Sequence, residues 1–323
     1  MLELPDSWVW DSWAVDDGER FHLFFLFASR ALQDPKRRHR RASIGHAVSD
    51  DLRSWRRLPD ALVRGDAPGI DDVATWTGCT IRGDDGRWYL IATAVNDVPV
   101  RTTQRITAAV SDDLTSWERL DVLIEADPRW YATGALTGAE PFRDPWVWKH
   151  DDGRWHMLLT ASGTERAPGD EAVVGHAVSD DLRAWELLPP LVEAGHGFGQ
   201  MEVTQPVEVD GEWFLLFSCQ APELAARRRA TVEDPGMWAA RMDGPLGSVD
   251  MTDVRVLVDE SLYAGRVTRD RAGEPMLLAF ENLTGHGFVG RLADPIPLRP
   301  LLRDAFPESL PRPIVHSSAG SAE

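Results

Sequence analysis

A hairpin pattern that returns every sixty-odd residues constrains this chain more than any other feature. One copy reads Trp146-Val147-Trp148-Lys149-His150-Asp151-Asp152-Gly153-Arg154-Trp155: an alternating apolar run, an Asp-Gly turn, then a second strand. Alternation at period two marks a strand, and Asp-Gly supplies the positive φ angles of a tight hairpin. Matching turn glycines fall at Gly18, Gly86, Gly153, Gly211 and Gly273, at intervals of 68, 67, 58 and 62 residues. A second signal has a similar period. Val48-Ser49-Asp50-Asp51-Leu52, Val110-Ser111-Asp112-Asp113-Leu114 and Val178-Ser179-Asp180-Asp181-Leu182 are near copies, each leading to a tryptophan (Trp55, Trp117, Trp185). Ser-Asp-Asp closes a turn by side-chain to backbone hydrogen bonding, and the Leu and Trp pack it onto a sheet, so these residues are structural. Five units of four-strand size predict an all-β chain folded as a five-bladed β-propeller. The propeller is expected to occupy residues 1–310 as a single domain without an appended β-sandwich, followed by a flexible tail over 311–323. Helical patterns are scarce; 224–229 is expected to give at most one turn within a loop.

Charge excludes two classes of partner. Asp and Glu number 52 against 34 Lys and Arg, a formal net charge of −18. Such a surface repels phosphate backbones and anionic lipid, so neither nucleic acid nor membrane is expected. No apolar run approaches the ~20 residues of a membrane span. The amino terminus carries neither a basic nor an apolar leader pattern, so the expected location is cytoplasmic. Cys79 and Cys219 lie in predicted strands without metal-ligand spacing and read as buried free thiols. No cofactor or metal is expected, and the oligomeric state is left open.

In a propeller the first strand of each blade lines the central channel, so residues at equivalent positions converge on one funnel. Counting nine back from the turn glycine gives Thr77, Asp144, Glu202 and Ala264. In the first blade Asp11 stands seven before Gly18, an even difference that keeps the same strand face; Asp6 fits less well. A single acid at a strand end is usually solvated. Three in different blades, Asp11, Asp144 and Glu202, argue for chemistry. Crowding and burial push their pKa values apart, leaving one carboxyl protonated and another ionised, the pair that glycoside cleavage needs.

Four motifs then carry a resemblance. Trp10-Asp11-Ser12-Trp13 resembles the Trp-Asp-Ser-Trp of the levansucrase family, glycoside hydrolase family 68. Trp76-Thr77-Gly78-Cys79 is similar to its Trp-Ser-Gly-Ser, and Phe142-Arg143-Asp144-Pro145 to the Arg-Asp-Pro shared with the invertase family, glycoside hydrolase family 32. Glu202 stands where those families place their acid/base glutamate. The resemblance implies a retaining β-fructofuranosidase acting on sucrose or short fructosides. Asp11 would be the nucleophile and Glu202 the acid/base. Asp144 would hold fructose hydroxyls and stabilise the transition state, with Arg143 restraining sugar and carboxylates. Trp10 and Trp76 would pack the furanose ring. The chain departs from the pattern at Val203, where invertases carry cysteine, at Thr77, which replaces serine, and at Gln200, where bacterial levansucrases carry a second acid; Thr77 and Gln200 are still expected to bind substrate. Tyr263 and Glu281 are further sugar-contact candidates, Tyr263 being equally readable as packing. The rival readings are a family 43-like arabinofuranosidase or xylosidase, which inverts, and a non-catalytic carbohydrate-binding propeller.

Loops joining second to third strands should surround the funnel: 29–41, 95–105, 162–171 and 220–234. Two are basic, with Lys36-Arg37-Arg38-His39-Arg40-Arg41 in the first and Arg227-Arg228-Arg229 in the last. These charges read either as solvated balance for an acidic protein or as an electropositive rim for an anionic substrate such as a sugar phosphate.

Overall fold

The turn glycines hold the backbone angles that their residue type permits: φ lies between 80° and 97° at Gly18, Gly86, Gly153, Gly211 and Gly273. The computed structural model describes residues 1–98, 101–133, 141–164, 167–285 and 287–307; the expected tail over 311–323 lies outside them. Each glycine closes the first hairpin of a four-stranded antiparallel sheet. Blade I is β1 (Ser7–Asp16), β2 (Phe21–Ser29), β3 (Ser43–Ser49) and β4 (Arg56–Leu62). Blade II is β5 (Ala74–Arg82), β6 (Trp88–Val98), β7 (Arg101–Ser111) and β8 (Glu118–Ile124). Blade III is β9 (Phe142–Lys149), β10 (Trp155–Ser162), β11 (Ala172–Ser179) and β12 (Trp185–Val192). Blade IV is β13 (Glu202–Val209), β14 (Glu212–Ser218), β15 (Pro235–Met242) and β16 (Arg255–Asp259). Blade V is β17 (Leu262–Arg269), β18 (Pro275–Thr284), β19 (Gly287–Leu292) and the short β20 (Ile296–Pro297). Leu2 bridges to Leu292 of β19, and the Met1 ammonium pairs with Asp294, so the chain start closes onto the last blade.

The Ser-Asp-Asp-Leu copies do what their side chains dictate. Asp51 accepts from the backbone N–H groups of Arg53 and Ser54, at 2.8 and 2.7 Å, and Asp113 and Asp181 repeat the contact. Leu52, Leu114 and Leu182 follow with φ of 62°, 61° and 64°, each buried beneath its turn. Apolar side chains from neighbouring sheets fill the spaces between blades, as with Trp13, Phe24, Leu90 and Leu278 around the first blade.

Two elements differ from expectation. Residues 95–105 were expected as a loop, but β6 and β7 extend through most of it as one long hairpin pairing Val98 with Arg101. A helix over Leu298–Ala305 also follows the last strand, with Leu298, Leu302 and Phe306 packed on blades IV and V. The segment 224–229 supplies one helical turn, Ala226–Arg229. Among the described residues no helix is long and apolar enough to cross a membrane.

Candidate active site

Every channel strand breaks its pairing at the same height. The interruptions fall between Trp10 and Ser12, Trp76 and Gly78, Arg143 and Trp146, Glu202 and Gln205, and Tyr263 and Arg266. A bulge inserts a residue, twists the strand and re-aims side chains. Asp11, Thr77, Asp144, Val203 and Ala264 are the equivalent bulged residues. Asp144, Val203 and Ala264 take φ of 58°, 57° and 49°, unusual for residues with a Cβ. Trp10, Trp76, Arg143, Glu202 and Tyr263 are the paired residues just before them.

This corrects one equivalence drawn from the sequence. Glu202 does not occupy the position of Asp11 and Asp144; Val203 does, and Glu202 sits at the level of Arg143. Both levels nevertheless face one cavity of about 390 Å³, lined by Trp10, Asp11, Trp76, Thr77, Arg143, Asp144, Glu202 and Tyr263 among others. Of the residues singled out from sequence, Gln200 does not line it but stands behind Arg143, accepting from its Nη2 at 2.8 Å. Glu281 does not line it either: it pairs with Arg291 at 2.8 Å, and its neighbour Asn282 faces the cavity instead. Asp6 is exposed and bonds to Ser7.

A relay of hydroxyls sets the bulges. The residue opposite the last paired position is Thr93 in β6, Thr160 in β10 and Ser218 in β14. Each accepts the backbone N–H of the next blade's bulged residue: Asp144 to Thr93 at 3.0 Å, Val203 to Thr160 at 3.2 Å, Ala264 to Ser218 at 3.0 Å. Thr160 also donates to Asp144 Oδ2 at 2.9 Å. Thr160→Val should therefore orphan the buried Val203 N–H and leave Asp144 Oδ2 with its 3.4 Å contact to Arg143, lowering stability by about 1–3 kcal/mol in denaturant titration. Thr160→Ser should stay close to the parent; equal losses in the two variants would remove the hydroxyl from this role.

The acids are held differently. Arg143 Nη2 donates to Glu202 Oε1 and the Tyr263 hydroxyl to Oε2, both at 2.6 Å. Burial alone would raise Glu202, but Arg143, then Tyr263, outweigh it and hold the carboxyl below its ordinary value. Asp11 accepts from the Thr77 hydroxyl. Burial, and then Asp144, lift Asp11 to about 7; Thr77 pulls it down, Glu202 adds to the rise, and Arg38 opposes it. Asp144 is raised too, by burial against the pull of Arg143. The resting order is thus the reverse of the one the resemblance implies for the reaction: the proton belongs to Asp11 and the charge to Glu202. The cause is the uneven distribution of donors.

Sequence reasoning did not single out three contributors, although it placed the loops that carry two of them at the funnel mouth and named Arg38 within a basic run. Arg38 lies with its guanidinium 5.4 Å from the Trp10 ring centre and 3.8 Å from that of Phe288, and burial lowers it to about 10. Glu223, a fourth carboxyl in the cavity, is raised to about 7 by burial and then by Glu202. Arg266 is fully buried beneath the acids, donating to the carbonyls of Thr204 at 2.5 Å and Asp144 at 3.2 Å. The first two sit on loops without periodicity, so no count could reach them. Arg266 is two residues beyond Ala264 on β17, and the same register argument could have found it.

A group of metal-ligand residue types that the sequence reading did not pick out lies away from the cavity. His150, Asp152 and His156 bring ligand atoms within 4.8 Å of one another. Their atoms are already in use: His156 lies 3.0 Å from Asp152 Oδ2 and 2.9 Å from His176, and the Asp152 N–H donates to His150. Asp17, His22 and His46 repeat the Asp-His-His chain in blade I, and among the described residues no counterpart of His150 joins them in a candidate ligand group, which marks the chain as a structural unit.

Fold and site place the chain among five-bladed propellers that gather acids from several blades at one funnel. Residues 14–285 match the glycosyl hydrolases family 32 N-terminal domain, and the chain belongs to that family. It is 28% identical over 198 residues to an insoluble-isoenzyme beta-fructofuranosidase of Arabidopsis thaliana, covering 59% of this chain and 34% of that one. It is 29% identical over 249 residues to a sucrose-6-phosphate hydrolase of Zymomonas mobilis, covering 73% and 46%. The chain thus spans between a third and a half of the length of these two relatives. An inulosucrase from Halalkalicoccus jeotgali bound to kestose shares the fold, with a TM-score of 0.72 and 20% identity over 91% of this chain and 86% of that one.

Proposed function

We propose that this propeller is a retaining β-fructofuranosidase acting on sucrose or short fructosides. The observation that carries the reading is the convergence of Asp11, Asp144 and Glu202 on one tryptophan-walled cavity. Its volume lies in the range of small-molecule sites. Asp11 attacks the anomeric carbon; Glu202 protonates the departing oxygen and then activates water on the fructosyl-enzyme. Asp144, fixed by Thr160 and by its own bulge, receives fructose hydroxyls, and Trp10 and Trp76 flank the ring. Arg143 spans Glu202 and Asp144 and restrains both. A cytoplasmic location belongs to the same proposal; Cys79 and Cys219 are free and buried, compatible with a reducing compartment.

Released fructose from a panel of fructosides and pentofuranosides tests the reading directly. Cleavage confined to pentofuranosides would overturn it. The proton order adds a pH signature. A 4-nitrophenyl fructoside needs only ionised Asp11, because its leaving group departs without a proton, so its kcat/KM should rise with pH and level off above about 7. Sucrose needs one proton within the Asp11–Glu202 pair, and that last proton leaves at about the same pH. Its kcat/KM should therefore fall above about 7, nearly tenfold per unit. Parallel profiles for both substrates would contradict the assignment.

A further inference from the structure

Arg38 and Glu223 both line the cavity, and each keeps one buried polar atom without a protein partner: Nε of Arg38, a donor, and Oε2 of Glu223, an acceptor. They come from blades that are not neighbours, on the turns Pro35–Arg40 of blade I and Ala221–Glu223 of blade IV. Both turns are pinned to the channel. The Trp76 indole N–H donates to the His39 carbonyl at 2.6 Å. The Gly199 N–H donates to the Glu223 carbonyl at 2.8 Å, and a Cβ at Gly199 would come 2.6 Å from that oxygen, so the approach requires glycine.

Four of the other basic residues on these two loops are engaged elsewhere. Arg40 pairs with Asp97 and Arg227 with Asp170. Arg228 lies 4.4 Å from the Phe198 ring centre and donates to the His196 carbonyl, and Arg229 donates to the carbonyls of Pro222 and Leu224. None of these four lines the cavity, so the electropositive rim considered from sequence shrinks to Arg38; His39 also lines it, but burial and then Arg38 lower its imidazole to about 4 and keep it neutral. Both Arg38 and Glu223 lie close enough to Glu202 to act on it electrostatically.

We propose that Arg38 and Glu223 form the subsite for the departing sugar, one donating to and the other accepting from hydroxyls of an uncharged ring. Glu223 makes the subsite refuse a sugar phosphorylated at that end. This rests on the fructosidase reading. A hydroxyl can satisfy a donor and an acceptor at once, whereas a phosphate dianion accepts only: Arg38 could donate to it, but the acceptor Glu223 would lose its donor, and the Glu202 carboxylate would repel it.

Three substrates test it in the wild type and Glu223→Gln: sucrose, sucrose phosphorylated on its glucose unit, and 4-nitrophenyl β-fructofuranoside, whose leaving group has no hydroxyls. The wild type should turn over the phosphorylated substrate about 100-fold less efficiently than sucrose. The substitution should lower kcat/KM for sucrose about 10-fold more than for the nitrophenyl substrate, mainly through KM, and narrow the phosphate penalty about 10-fold. The inhibition constant for glucose should rise in step with KM. Wild-type turnover of the phosphorylated substrate at the sucrose rate would overturn the proposal. So would equal losses on sucrose and the nitrophenyl substrate, which would mean that Glu223 acts through Glu202 or the fold. Failure of the wild type to cleave any of the three would instead bring down the fructosidase reading, a result distinct from cleavage without discrimination.

Discussion

Asp11→Asn is expected to lower kcat/KM for sucrose by ~10⁴-fold or more while leaving the protein folded. The amide matches the carboxylate in shape and can still accept the Thr77 hydroxyl, but it cannot form the ester on which a retaining mechanism depends. Stability should change in an informative direction. A carboxyl raised to about 7 in the folded state binds a proton that the unfolded chain has already lost, so folding loses stability as pH rises from about 4 to about 7. Above pH 7 the native protein carries that cost, because Asp11 is then ionised in a buried site beside Asp144 and Glu202. The amide removes this contribution. Thermal unfolding of the variant at pH 8 should match or exceed that of the parent, and the difference should shrink towards pH 4. Retained turnover would move the nucleophile elsewhere. A melting temperature several degrees lower at pH 8 would contradict the electrostatic account.

The propeller was legible in the sequence because it is built from local chemistry. An Asp-Gly turn, alternating strands and a Ser-Asp-Asp-Leu turn are each specified within ten residues, and five repeats leave few architectures. Asp11, Thr77 and Asp144 were found because their strands repeat the same bulge. Glu202 was found through an offset: the first hairpin of blade IV has a two-residue turn between Val209 and Glu212, against five residues between Lys149 and Trp155 in blade III. Counting nine from Gly211 therefore lands one residue short of the bulge. The acid was still at the funnel because the residue before each bulge also faces the cavity. Arg38 and Glu223 were out of reach for a different reason. Their turns are fixed by long-range contacts, Trp76 to His39 and Gly199 to Glu223, and no local pattern records which loop side chains those contacts turn inward.

Glu202→Gln should separate substrates by how much help their leaving groups need. Sucrose expels a sugar alkoxide unless it is protonated, so kcat/KM should fall by ~10²–10⁴-fold. 4-Nitrophenolate departs unaided, and its kcat/KM should fall by less than ~10-fold. The second half of the cycle still lacks its base, because the amide cannot activate water. A burst of nitrophenol close to the enzyme concentration should therefore precede slow turnover. The substitution also removes a negative neighbour that helps to hold Asp11 at about 7, so the rising limb of the nitrophenyl pH profile should move to lower pH. Arg143 keeps Gln200 at 2.8 Å and its contact with Asp144 at 3.4 Å, and the glutamine carbonyl can take the place of Glu202 Oε1, so the guanidinium is not stranded. A purely structural role for Glu202 predicts neither the burst nor the shifted limb. Equal losses on the two substrates, with the limb unmoved, would take the proton from Glu202 and leave the reaction without its acid.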